Sequence, residues 1–143
     1  MSAVRLRPGL LAGLRQRAGL SQMQVAAQLD GLRRQQSVGD WERGRQQPAP
    51  RMIPALAVVL GVSPLELLDV DVHDPPLQAL RLAAGLSLLE LEAASGVSYS
   101  RCRRLEGGQI LDDLDEASTA ALADALKVDT ATVGRAVDRS RDT

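Results

Sequence analysis

The sequence predicts an all-helical protein made of two tandem domains of about five helices each. Hydrophobic residues make up 45% of the 143 residues, but the chain has one Trp, one Tyr and no Phe. Aliphatic side chains must therefore build the core, and the abundant Leu and Ala are good helix formers. An internal repeat then divides the chain into two halves of similar pattern.

The repeat is divergent, but it is visible at three places along the chain. Leu14-Arg15-x-x-Ala18-Gly19-Leu20-Ser21 recurs as Leu80-Arg81-x-x-Ala84-Gly85-Leu86-Ser87, Glu42-x-Gly44 as Glu106-x-Gly108, and Ala57-x-x-Leu60-x-Val62 as Ala123-x-x-Leu126-x-Val128. We assign residues 1–68 to the first domain and residues 77–143 to the second. Residues 69–76 are an acidic linker ending in Pro75-Pro76, which neither a helix nor a central strand accommodates well.

Capping signals and apolar spacing define the helices of the first half. The first helix ends at Gly19, and Ser21 with Gln24 three residues later forms a capping-box pattern that begins the second. Asp30-Gly31 marks a turn. The third helix is expected from about Arg34 to Arg43.

The remaining elements of the first half follow the same logic. Val38 and Trp41 are expected to face inward on the third helix. Apolar residues up to Leu60 form a fourth helix, which Gly61 closes. Ser63-Pro64-x-Glu66 has the cap, the proline and the acidic residue that open a fifth helix.

The second half repeats these signals with standard spacing. Ser87 and Glu90 form another capping-box pattern, and Ser98 is placed to cap the third helix of this half. Leu114 to Leu126 supplies the fourth helix. Cys102 occupies the position that corresponds to Val38, so we expect a small core residue there rather than a redox sensor.

Charge is distributed unevenly between the halves, although the whole chain has a net charge of −1. Residues 1–68 contain nine Arg and four acidic residues, a net charge of +5, whereas residues 69–143 contain eight basic and fourteen acidic residues, a net charge of −6. Such asymmetry favours an electrostatic role for the first half, such as binding a polyanion.

Composition also excludes several classes of function. A single Cys permits no intramolecular disulfide, which fits a reducing compartment, and one Cys with one His cannot form an ordinary zinc site. We expect a cytoplasmic protein, since no apolar run approaches the roughly 20 residues that span a bilayer. We also expect no enzyme, metal or cofactor, because no nucleophile–base pair or phosphate-binding glycine loop is present.

The first half resembles the Cro/C1-type (XRE) helix-turn-helix regulators over residues 10–68. The resemblance rests on Gly19-Leu20-Ser21-Gln22-x-x-x-Ala26-x-x-Leu29, Val38-x-x-Trp41-Glu42-Arg43-Gly44-Arg45-x-x-Pro48 and Leu56-Ala57-x-x-Leu60-x-Val62. It implies a lambda-repressor-like fold in which one helix braces the DNA backbone and the next enters the major groove. It further implies a sequence-specific transcription regulator, and a repressor, that binds double-stranded DNA.

The resemblance implies base contacts early in the third helix, at Gln35, Gln36 and Ser37. A glutamine amide offers a donor and an acceptor that match N6 and N7 of adenine. Asp40 would repel phosphate unless it accepts a hydrogen bond from a cytosine amine. The turn before this helix is two residues longer than the common family spacing, with Leu32 and Arg33 in the excess.

Phosphate contacts are expected from residues around that helix. Gln22 begins the second helix, where amide donors and the helix N-terminus favour an anion. Four arginines flank the third helix and suit phosphate oxygens. They are Arg33, Arg34, Arg43 and Arg45.

Two roles remain for the second half. It is either a second domain that reads DNA bases or a degenerate domain for pairing or partner binding. Its candidate reading helix carries Tyr99, Ser100, Arg101, Arg103 and Arg104, and Arg is the preferred reader of guanine. The acidic residues that follow would repel DNA if they faced it. A homodimer on paired half-sites and two unlike heads of one chain are both possible arrangements. The alternative function is a protein-interaction module, such as an antitoxin that acts through the acidic second domain.

Overall fold

The structure, a computed structural model, describes residues 3–29, 35–110 and 112–142, without the side chains of residues 35 and 36. These parts of the chain form nine α-helices and one 3-10 helix, so the all-helical prediction is confirmed. The helices are α1 (Leu10–Arg17), α2 (Gln22–Gln28), α3 (Gln35–Glu42), α4 (Met52–Leu60), the 3-10 helix (Pro64–Leu67), α5 (Leu77–Ala83), α6 (Leu88–Ser95), α7 (Tyr99–Glu106), α8 (Glu116–Leu126) and α9 (Thr130–Arg141). Within the described ranges, no helix has the length and apolar character needed to cross a membrane.

Local capping fixes the helix starts that the sequence predicts. At α2, the Ser21 hydroxyl accepts from the Gln24 amide at 3.0 Å, and the Ser21 amide donates to the Gln24 side chain at 2.8 Å. Ser87 and Glu90 form the same two bonds at α6. The Ser98 hydroxyl accepts from the third residue of α7 at 3.2 Å. Each cap satisfies backbone amides that have no partner inside the helix.

The last element of the first half differs from the prediction. The fifth helix begins at Pro64, where the sequence predicts it, but it is a four-residue 3-10 helix whose N-cap, Ser63, makes no side-chain capping bond. The chain leaves the helical path at Leu68, which forms an isolated antiparallel bridge with Leu6. The Ser63 hydroxyl bonds to the Glu66 carboxylate at 3.1 Å rather than to a helix amide, so the expected capping box is absent. In the second half, α8 begins two residues later than expected, because Asp115 is its N-cap.

Two hydrophobic cores follow the two halves of the sequence. Val38 and Trp41 are buried in the first core, and Cys102 is fully buried in the second, as the sequence predicts. Apart from Trp41, the buried residues of both cores are Leu, Val, Ile, Ala, Met and Cys. The bounds of the two domains at residues 68 and 77 stay a prediction.

The two halves pack directly against each other. Ala79 of α5 is buried in the first core, and Leu65 of the 3-10 helix packs against both cores. The segment between the halves is held to the N-terminal residues, since the Arg7 guanidinium donates to the carbonyls of Leu68 and Val70 at 3.1 and 2.7 Å. The chain between the halves is therefore hydrogen-bonded in place at its first residues.

Candidate nucleic-acid interface

A partly buried ion pair holds the C-terminal end of α3 against α1 and α2. Arg15 Nε donates to Glu42 Oε2 at 2.6 Å, and Arg15 Nη1 donates to the carbonyl of Leu20 in the loop before α2 at 3.0 Å. Gln22 Nε2 at the start of α2 donates to the other oxygen of Glu42 at 2.9 Å. Glu42 thus ties three helices together and sets the orientation of α3.

The second half contains the same network at the corresponding positions. Arg81 Nε donates to Glu106 Oε2 at 2.6 Å, and Arg81 Nη1 donates to the Leu86 carbonyl at 3.0 Å. Both side chains are only 8% exposed. Burial raises the pKa of Glu106 above its ordinary value, although Arg81 acts in the opposite direction. Leu88 replaces Gln22 here, so this network lacks the amide donor.

The inward residues of α3 determine which face remains for a ligand. Val38 and Trp41 point into the core. The positions of Gln36, Asp40 and Arg43, spaced by four and three residues, therefore share the opposite side of the helix. Ser37 is half-buried. The side chains of Gln35 and Gln36 lie outside the described residues, and their base contacts stay a prediction.

Asp40 lies in a different setting from that expected of an outward-facing residue. Its side chain is only 17% exposed, and it accepts a hydrogen bond from Arg43 Nη2 at 3.1 Å. This pairing screens the negative charge that would otherwise repel a phosphate. The same bond holds the half-exposed side chain of Arg43 against α3.

The expected phosphate-binding residues are partly brought together. A β-carbon added at Gly39 would lie 3.2 Å from the Arg43 guanidinium and 3.4 Å from Gln22 Oε1, so these two side chains converge above Gly39. Gln22 Nε2 has a second N–H beyond the one bonded to Glu42. Arg45 is exposed beyond the end of α3. Arg33 and Arg34 lie outside the described residues.

The candidate reading helix of the second half, α7, exposes most of its predicted residues. Tyr99, Ser100, Arg103 and Arg104 are all exposed. Arg101 instead turns toward the start of α8, where its guanidinium donates to Asp115 Oδ1 at 3.2 Å and to the Ser118 hydroxyl at 3.1 Å. A ligand that binds Arg101 would therefore have to compete with Asp115 and Ser118.

The Asp115 carboxylate makes the stability of the second half depend on pH in the acid range. Hydrogen bonds from the backbone and side chain of Ser118, followed by that from Arg101, lower its pKa to about 2 from 3.8. Since the folded-state pKa is depressed, its stabilising contribution is present above pH 3.8 and is lost as the pH falls through about 2.

We expect Asp115→Asn to decrease the dependence of stability on pH between about 4 and 2, because Asn still caps a helix but does not titrate there. Urea denaturation at several pH values, followed by far-UV circular dichroism, measures that dependence. Asp113→Asn is the matched control, since this exposed carboxylate has no hydrogen bond among the described residues. Equal slopes for wild type and Asp115→Asn would contradict the prediction.

Two functional features escaped the sequence-based interpretation. Arg15 and Arg81 belong to the repeated pattern, but the sequence analysis assigns neither of them an ion pair. The recurrence of both the Arg and the Glu in the two halves is a signal that would have indicated these pairs. The second feature is the N-terminal segment 3–7, where Leu6 N donates to Gln47 Oε1 at 2.8 Å just beyond α3. No local pattern in the sequence indicates this contact.

Comparison with known families agrees with the geometry of the first half. Residues 9–69 match the family described as helix-turn-helix domain. No match is found among curated proteins or among solved structures. The matched range covers α1 to α4 and the 3-10 helix, including the Arg15–Glu42 pair that orients α3. A helix-turn-helix domain, typical of DNA-binding regulators, is thus found at residues 9–69 of this chain.

Proposed function

We propose that this protein is a sequence-specific transcription regulator, and a repressor of the XRE type, that reads the major groove with α3. The observation that carries the proposal is the helix-turn-helix domain at residues 9–69, in which the Arg15–Glu42–Gln22 network fixes the C-terminal end of α3 against α1 and α2. The net charge of +5 over residues 1–68 adds the attraction to phosphate that every such interface needs.

In this proposal, the start of α3 provides the base contacts. Gln35 and Gln36 lie in the first turn of the helix, which is the part of a recognition helix that approaches the base edges. Their amides suit adenine, while Ser37 and Asp40 lie farther along as secondary contacts. Gln22, Arg43 and Arg45, together with Arg33 and Arg34, hold the backbone on either side. The proposed activity is binding without catalysis, in the cytoplasm.

We further propose that the regulator acts as a homodimer. Helix α4 contains no charged residue, and its Val58 side chain is 81% exposed. A two-fold contact places one patch against its own copy, where a charged patch would repel itself. An uncharged apolar patch meets that requirement, and two copies would multiply the affinity for paired half-sites.

Selection from a random pool of double-stranded DNA tests the proposal. We expect wild type to enrich a motif that Gln35→Ala/Gln36→Ala loses, because each bidentate base contact contributes about 1–3 kcal/mol of discrimination. Gln16→Ala/Gln28→Ala is the matched control, since both glutamines are exposed on α1 and α2, outside α3. Circular dichroism establishes that each variant folds.

The outcomes of this selection separate the candidate arrangements. A palindromic motif supports the homodimer, whereas two unlike half-sites support reading by both halves of one chain. Enrichment of nothing at low salt, where phosphate contacts are strongest, contradicts sequence-specific reading.

The second candidate function is a protein-interaction module, such as an antitoxin. The start of α6 favours it, because the 64% exposed Leu89 lies beside the acidic Glu90, whereas the equally exposed Met23 of α2 lies beside the neutral Gln24. A toxin gene adjacent to this gene, with a product that binds the second half, would support this candidate.

A further inference from the structure

The N-terminal segment joins corresponding ends of the two halves. Ala3 lines a cleft together with Arg103 and Arg104 of α7. Two residues later, Arg5 Nη2 donates to the carbonyl of Gly44, just beyond α3, at 3.2 Å. Consecutive Cα atoms are about 3.8 Å apart, so Ala3 and Arg5 are separated by at most about 8 Å. The N-terminal segment therefore reaches from the C-terminal end of α3 to the cleft beside α7.

Further hydrogen bonds hold this segment in place between the halves. Val4 N donates to Gln78 Oε1 on α5 at 3.1 Å, and Leu6 N donates to Gln47 Oε1 at 2.8 Å. One bond reaches the second half and the other reaches the loop after α3. The segment is thus a fixed bridge between the two helix ends.

Four exposed arginines follow this bridge, and we name them the arginine strip: Arg5, Arg45, Arg103 and Arg104. None of them forms a salt bridge with an acidic group in the described ranges. The second half is acidic overall, yet α7 has Arg103 and Arg104 where α3 has Gly39 and Asp40. The strip therefore continues the positive surface of the first half across the boundary.

The cleft beside α7 favours an anion over a base edge. Its volume is about 650 Å³, and its lining includes the Arg81–Glu106 pair, whose charges compensate each other. Leu88 lines it where the first half has the amide of Gln22. Arg101 is bonded to Asp115 and Ser118, which removes one potential base reader from α7. Arg103 and Arg104 remain as the cationic groups at this cleft.

We propose that the arginine strip binds the phosphate backbone of the same duplex that the first half reads, extending the interface without adding sequence information. This inference rests on the proposed function and deepens it. Double-stranded DNA is the expected ligand because its phosphates recur about every 3.4 Å along each strand, so a rod beside α3 presents a row of anions to the strip. The second half then acts as a backbone clamp.

The dependence of DNA affinity on salt tests this proposal. We compare wild type with Arg103→Gln/Arg104→Gln on the selected motif in a long duplex and on duplexes trimmed from either end. The slope of log K against log salt is expected to fall by about 0.9 for each phosphate that the variant no longer neutralises, hence by roughly 1–2 in total. Trimming the duplex on one side is expected to abolish the difference between the two proteins.

Lys127→Gln/Arg135→Gln is the matched control, because it removes two exposed positive charges from the α8–α9 side. We expect the control to keep the wild-type slope and Arg103→Gln/Arg104→Gln to select an unchanged motif. An arginine variant whose slope equals that of wild type overturns the inference. A changed motif also overturns it, since α7 would then read bases.

Failure of the proposed function is distinguishable from failure of this inference. If wild type selects no motif, sequence-specific reading fails, while the slopes on a random-sequence duplex still report the strip. If wild type selects a motif but the arginine variant has the wild-type slope, the first half reads DNA without the clamp.

Discussion

Glu106→Gln is expected to lower the free energy of unfolding by about 3–5 kcal/mol, because it leaves the Arg81 guanidinium buried without its counter-charge. Both side chains are 8% exposed, and Arg81 Nη1 is also committed to the Leu86 carbonyl. A charge held this far from water cannot recover its hydration without breaking the packing of α5 on α7. Urea denaturation followed by far-UV circular dichroism measures the change in stability.

A double variant separates removal of the pair from exposure of an unpaired charge. Arg81→Met/Glu106→Leu is expected to lose less stability than Glu106→Gln alone, since it leaves no buried charge behind. Trp41 is the one tryptophan of the chain and lies in the first core, so its fluorescence follows unfolding of the first half. A decrease below about 1 kcal/mol for Glu106→Gln, the range of an exposed ion pair, would contradict the prediction.

Gly108→Ala is expected to destabilise the protein more than Gly44→Ala, although the two glycines occupy the same position of the repeat. Both have left-handed backbones, with φ of +69° and +72°. A β-carbon at Gly108 would lie 2.5 Å from the backbone oxygen of Ser140 on α9. At Gly44, the one neighbour within 4 Å among the described residues is the Arg5 guanidinium at 3.9 Å. The first substitution forces helix α9 to move, and the second does not.

The expected magnitudes follow from these two costs. The left-handed conformation alone costs a non-glycine residue about 1–2 kcal/mol, which is the expectation for Gly44→Ala. Overpacking against a backbone adds about 1–3 kcal/mol, so Gly108→Ala is expected to lose roughly 2–5 kcal/mol. Denaturation midpoints of the two variants, measured side by side, provide the comparison. Equal decreases in stability would contradict the prediction, because they would show that α9 shifts without an energetic cost.

The local features of the fold were predictable because they depend on neighbouring residues. The capping boxes at Ser21 and Ser87 need only a partner three residues away, and helical spacing alone placed Val38, Trp41 and Cys102 inward. The type and length of the fifth helix were not predictable, because they depend on residues distant in sequence. Ser63-Pro64-x-Glu66 places the start of this helix, but the helix is a single 3-10 turn, and it ends where Leu68 pairs with Leu6, distant in sequence.

The sequence by itself determined that this chain is helical, that three short motifs recur along it and that its first half is positively charged, because composition, periodicity and motifs are properties of short windows. The tertiary structure decided which charges are available to a ligand. Arg15 is committed to Glu42, 27 residues away, and Arg101 to Asp115, whereas Arg103 and Arg104 remain exposed. It also decided that the N-terminal segment bridges α3 and α7. Partners so distant in sequence are selected by packing, which no local pattern records.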